Sequence, residues 1–162
     1  MFINLTLAKE RLFANECIKW SNEILLVPEL RFYSIFKENY RVETFVKLIQ
    51  NRKKRAIISQ FRYIVLPLKI ETGRFQDIPI EYRFCIFCED NVIESELHFL
   101  LHCSHYNEIR FEFYNKVREI DFYFDILDDE DKIRKLMSDD IIKYTVNYLK
   151  KFFEKRQQTL YL

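Results

Sequence analysis

A single glycine, Gly73, serves the whole chain of 162 residues, where average usage near 7% would supply roughly eleven. Glycine is the residue that takes positive φ and lets backbone approach a ligand with no Cβ in the way. Walker-type phosphate loops, dinucleotide fingerprints and strained nucleophile elbows each need several glycines, so none can be built here. With only three prolines the chain is short of turn-formers too, which argues against a sandwich or barrel with many tight turns. The expected fold class is mainly α: amphipathic helices around an aromatic-rich core, with 16 Phe and 10 Tyr supplying much of the interior.

Periodicity places those helices. Phe13, Cys17, Trp20 and Ile24 fall on one helical stripe closed by Pro28, with Cys17 read as packing. Residues 30–37 fit either an extended piece or a turn of helix, and a short helix spans 42–49. Ile57, Ile58, Phe61, Ile64, Val65 and Leu68 then line one face of a helix whose other face carries Arg52, Arg55, Ser59 and Arg62, with Pro67 ending it. Residues 70–84 hold Gly73 and Pro79 and should be irregular or hairpin-like; a positive-φ turn or a close backbone approach would explain the glycine.

Beyond residue 103, Ser104 is a candidate N-cap for a helix with the stripe Tyr106, Ile109, Phe113, Val117 and Ile120. Asp128 or Asp129 can cap a short helix through Met137. A last helix, starting near Ser138 or Asp139, buries Ile141, Ile142, Thr145, Tyr148, Leu149 and Phe152, and its Lys150–Arg156 cations complement the helix dipole. The expected organisation is a helical region over 1–68, a metal module over 69–106 and C-terminal helices over 107–162, in one compact unit.

Three of the four cysteines and all three histidines lie between Cys85 and His105. Cys85-x2-Cys88 is the knuckle spacing that turns two adjacent backbone N–H groups toward sulfur and lets both thiolates reach one ion. Residues 94–102 read as a helix carrying His98, with Cys103 just past its end. The pattern C-x2-C-x9-H-x4-C is a Cys3His set suited to tetrahedral zinc, which takes thiolate at about 2.3 Å and imidazole nitrogen at about 2.0 Å. His102, one turn after His98, competes with Cys103 for the fourth place, whereas His105 reads as exposed. The plainer alternatives are small buried cysteines or a redox pair, but the latter needs a parallel βαβ setting that this pattern does not offer.

No catalytic constellation accompanies the site. The carboxylates of Asp128–Asp131, Asp139 and Asp140 sit where helix starts favour negative charge, and a closed four-ligand site has no open position for a reactive water. A non-enzymatic role with no small-molecule substrate is expected. No apolar run approaches the roughly 18 residues of a membrane span, and no signal-like start is present, so an intracellular protein is expected.

Residues 30–110 resemble the zinc-binding region found downstream of the reverse transcriptase domain in non-LTR retrotransposons. The resemblance is carried by Leu30-Arg31-Phe32-Tyr33, Gln60-Phe61-Arg62, Leu66-Pro67-Leu68, Glu71-Thr72-Gly73-Arg74-Phe75, Ile78-Pro79, Arg83-x-Cys85-x2-Cys88, Glu94-x-Glu96-x-His98-Phe99, Cys103, Tyr106 and Arg110. It implies Cys85, Cys88, His98 and Cys103 as ligands of one structural Zn2+, and a nucleic-acid-associated accessory detached from its polymerase. The chain carries no polymerase motif of the aromatic-x-Asp-Asp kind.

Charge gives separate support for an RNA or DNA partner. Residues 1–83 hold 15 Lys and Arg against 9 Asp and Glu, a balance of +6; residues 84–162 hold 11 against 16, a balance of −5. Arg52, Lys53, Lys54, Arg55 and Arg62, with Arg74 and Arg83 beside the knuckle, form the candidate phosphate-binding set. The competing expectation is a solvated helix face, with the acidic half serving a protein partner.

Overall fold

A computed structural model describes residues 5–27, 30, 32–37, 39–63 and 65–160. The chain is predominantly helical: α1 (Leu5–Leu26), α2 (Thr44–Leu48), α3 (Arg52–Arg62), α4 (Lys69–Thr72), α5 (Asn107–Arg118), α6 (Asp129–Leu136) and α7 (Ile142–Leu160). Short 3-10 turns link them, and the only β element among the described residues is an isolated antiparallel bridge between Phe84 and Ile93.

The core is aromatic. Tyr106, Phe61, Phe99, Phe113, Phe124 and Phe152 are its largest fully buried side chains, and one hydrophobic cluster draws on all three chain regions, from Phe32 to Phe152. Helix α7 forms the spine, packed against both α3 and α5. Phe152 packs on Phe99 and Tyr106 at ring distances of 5.4 and 5.0 Å, and Tyr148 stacks on Phe113 at 4.5 Å. Such contacts add to the burial of ring area itself. Among the described residues no helix is long and apolar enough to cross a membrane.

Several local expectations hold. Asp128 caps α6, its side chain accepting from the Asp131 N–H at 2.9 Å; Ile142, Thr145, Leu149 and Phe152 are buried on α7, Ile141 is buried just before its start, and Tyr148 is half-buried. Residues 33–35 form a 3-10 turn, and in the 70–84 stretch the end of the short helix α4 is followed by two 3-10 turns and irregular chain.

Others are corrected. In α1 only Ile24 is buried, while Phe13 is exposed and Cys17 half-buried, so Cys17 is not a core residue. Helix α3 stops at Arg62, leaving Val65 exposed. Pro28, Arg31 and Ile64 lie outside the described residues. Ser104 does not cap α5, which starts at Asn107 after a 3-10 turn over Ser104–Tyr106 and has no side-chain cap. Ile120 lies beyond α5 and is exposed.

Gly73 is right-handed, with φ −64° and ψ −31°, so the positive-φ explanation fails; Asp77 and Asn91 take positive φ instead. Close approach is the reason for the glycine. A Cβ there would lie 2.7 Å from the Arg83 Cγ and 2.7 Å from the Lys69 carbonyl oxygen. The Arg83 side chain crosses this spot to donate to the Ile78 and Ile70 carbonyls at 2.8 and 2.7 Å. Gly73→Ala should therefore destabilise the protein by about 1–3 kcal/mol, the usual cost of overpacking. A chemical denaturation midpoint equal to the parent's would contradict this.

Candidate metal centre

Two pieces of backbone bring the cysteines and histidine together. The first is a hairpin pinned by the Phe84–Ile93 bridge, in which the Cys85 N–H donates to the Val92 carbonyl at 2.8 Å and the Glu94 N–H to the Arg83 carbonyl at 2.9 Å. Its tip is the knuckle, and the backbone N–H groups of Phe87 and Cys88 both donate to the Cys85 sulfur. This is the geometry expected from the two-residue spacing.

The second piece is a single turn of π-helix, His98–His102, closed by the Cys103 N–H donating to the His98 carbonyl at 2.7 Å. Its period answers the x4 spacing. On an α-helix positions five apart point about 140° away from each other; the wider π-turn returns the fifth residue toward the first. His98 and Cys103 can thus face one point.

The four candidate ligand atoms, from Cys85, Cys88, His98 and Cys103, all lie within 4.8 Å of one another. The Cys85 and Cys103 sulfurs are 3.8 Å apart and the Cys88 sulfur is 3.3 Å from His98 Nε2. Two thiolates each about 2.3 Å from a common ion at tetrahedral angles would be about 3.8 Å apart, so the residues fit a bound ion. A disulfide would need about 2.05 Å, and all four cysteines are free. The group can hold a metal ion.

The electrostatics begin that work. A hydrogen bond from the Cys103 thiol holds Cys85 as thiolate, its pKa lowered to about 3, and the same bond raises Cys103, which keeps the proton. Burial pushes the Cys88 thiol up. His102 stands outside the group, exposed and bonded to Asp129 at 2.6 Å. His105 is half-buried against the Phe87 ring, 5.2 Å away, rather than exposed.

Two buried arginines brace the site. Arg110 on α5 donates from Nε to the Leu100 carbonyl at 3.0 Å and from Nη2 to the Cys103 carbonyl at 2.8 Å, satisfying acceptors that the end of a helical turn leaves open. Arg156 on α7 grips both oxygens of Glu94, nine residues after Cys85, and donates to the Pro67 carbonyl at 2.6 Å. Its guanidinium lies 4.5 Å over the ring of Phe87, the second residue inside the knuckle. Glu94 also accepts from the Lys69 N–H at 2.7 Å, at the start of α4. At 1% and 3% exposure the Glu94–Arg156 pair is inside the protein. Arg156 is therefore a core ion-pair partner rather than a solvated cation at a helix end.

The seven basic candidates do not form one free cationic face. Arg62 is buried, pairs with Glu43 at 2.9 Å and lies 4.2 Å over the Phe36 ring; it does not belong to a cationic surface. Arg55 donates to the Ile49 and Gln50 carbonyls at 2.8 Å. Arg83 is spent on Ile78 and Ile70, and Arg74 pairs with Glu71 at 3.1 Å. Arg52 and Lys53 remain exposed, and Lys54 donates to Asn147 at 2.7 Å.

Compared with known protein families, curated proteins and solved structures, the chain finds no match in any of the three.

Proposed function

We propose that this chain is a zinc-stabilised module that binds nucleic acid without acting on it chemically, in keeping with the retrotransposon-type resemblance. The observation that carries the reading is the four-atom Cys3His group. Three thiolates and one imidazole form a soft donor set that suits Zn2+ over hard cations, and four protein donors close a site as structural zinc requires. Cys85, Cys88, His98 and Cys103 hold the ion, which fastens the hairpin to the π-turn.

Nucleic-acid contact is supported by what remains of the basic set. Arg52 and Lys53 have no ion-pair partner among the described residues, and a groove of about 290 Å³ beside them is lined by Lys54, Lys143, Gln50, Asn51 and Asn147 with no carboxylate. Cations there release counterions on meeting phosphates. A second reading, a protein partner, is favoured by Tyr82 and Ile86, exposed close to the knuckle and flanked along the chain by exposed Glu81, Glu89 and Asp90.

Purified protein should carry about one zinc per chain, and its affinity for an oligonucleotide should fall steeply between low and physiological salt. Affinity unchanged across that range would remove the phosphate contacts and leave the protein-partner reading.

A further inference from the structure

Away from the metal centre, a cleft of about 570 Å³ opens between α1 and the segment leading to the end of α3. Its walls carry Trp20, Tyr33, Tyr40 and Tyr63, with Lys37 and Arg41 among its polar groups. Trp20 and Tyr40 meet at a ring distance of 5.9 Å, and Tyr33 and Tyr63 at 4.9 Å. Tyr40 and Tyr63 are 43% and 39% exposed, so ring surface is open to a ligand.

Charge decides what kind of ligand fits. Aromatic walls around one carboxylate could suggest a cage for an ammonium group. Here the carboxylate, Glu43, is already taken: Lys37 Nζ and Arg62 Nη2 each approach it at 2.9 Å, and the Tyr33 hydroxyl donates to it at 3.0 Å. Arg41 adds a further cation, exposed and without an ion pair among the described residues. The cleft is net positive and would repel an ammonium. Rings for stacking beside cations match an unpaired base and its phosphate.

Two smaller hollows share walls with the cleft. One, of about 330 Å³, shares the Trp20–Tyr40 wall and adds Asn22 and Asn39. The other, of about 240 Å³, shares Lys37 and Arg41 and adds Thr44. Three adjoining hollows that share aromatic and cationic walls give room for more than one nucleotide, which suits a strand more than one free nucleotide.

We propose that this cleft is a single-stranded nucleic-acid site in which a base stacks on Tyr40 or Tyr63 and Arg41 meets the adjoining phosphate. The proposal rests on the nucleic-acid reading above and narrows it to an unpaired strand.

Trp20 is the chain's only tryptophan, so its fluorescence reports on the cleft alone. The zinc-loaded full chain is titrated at low salt with a mixed-sequence 12-nucleotide single strand, with a duplex of the same composition and with adenosine monophosphate. The single strand should quench Trp20 and the duplex should not. Tyr40→Ala should weaken single-strand binding about five- to thirty-fold while leaving the circular dichroism melt in place. Arg41→Ala should reduce the salt slope by about one.

If the single strand binds but Tyr40→Ala and Tyr63→Ala bind it as tightly as the parent, the cleft is wrong while the nucleic-acid function stands. Quenching by the mononucleotide as strong as by the strand overturns the strand assignment. If neither strand nor duplex binds, the nucleic-acid function fails and the cleft with it.

Discussion

If the Cys3His group holds the proposed zinc, a strong chelator will abolish cooperative folding of the chain. Structural zinc sites convert metal-binding free energy into folding free energy, with apparent values on the order of 10 kcal/mol, comparable to the whole stability of a domain this size. The candidate ligands are not on a detachable flap. Cys85 and Cys103 belong to the same hydrophobic cluster as Phe99, Tyr106 and Phe152, so releasing them opens the core.

The same logic separates the two candidates for the fourth ligand. Cys103 is fully buried in that cluster, whereas His102 is exposed in a surface pair with Asp129. Cys103→Ala should cost several kcal/mol and lower zinc content; His102→Ala should cost no more than about 1 kcal/mol, the ceiling for an exposed ion pair. Zinc stoichiometry and urea midpoints measured together check this. The reverse order, or full helicity and an unmoved melting temperature after verified metal removal, would reject the structural site.

Arg156→Met will destabilise the protein by about 3–5 kcal/mol, because removing one partner of a buried ion pair strands the other charge in the interior. The stranded group is Glu94, which would keep the Lys69 N–H on one oxygen and the Cys85 sulfur 3.9 Å from the other. Arg156→Lys should rescue little. A lysine ammonium cannot reproduce a planar fork that serves two carboxylate oxygens and the Pro67 carbonyl at once. Adding Glu94→Gln to Arg156→Met should recover part of the loss, and a double-mutant cycle in urea gives the coupling. A single-variant cost below 1 kcal/mol would mean that water reaches the pair.

The residues that were legible in the sequence are those whose role is written in local spacing. The knuckle is one, since the two-residue gap in Cys85-x2-Cys88 fixes which N–H groups face sulfur. The stripes of α5 and α7 are others, because helical period alone selects Phe113, Val117, Leu149 and Phe152. Arg62 was misplaced because helical period assigns a face and says nothing of what covers it: Phe36 and Glu43 arrive from outside the helix. The stripe of α1 failed for the converse reason, as nothing in the described chain covers most of it. Glu94 and Arg156 lie 62 residues apart, and no spacing rule reaches that far. A π-turn likewise cannot be told from an α-turn in the run from His98 to His102, although the four-residue gap to Cys103 becomes intelligible once it is seen.

The long reach of Arg156 also bears on how the chain assembles during synthesis. All four candidate ligands precede it, and 53 positions separate Cys103 from Arg156, about 3–10 s of translation at usual rates. For that interval a nascent chain can gather its ligands while Glu94, still in water, waits for its counterion. The metal would be captured early and sealed late, when the last helix docks. A ribosome pause within that window would prolong the exposure of Phe99 and Tyr106, and with it the chance of aggregation.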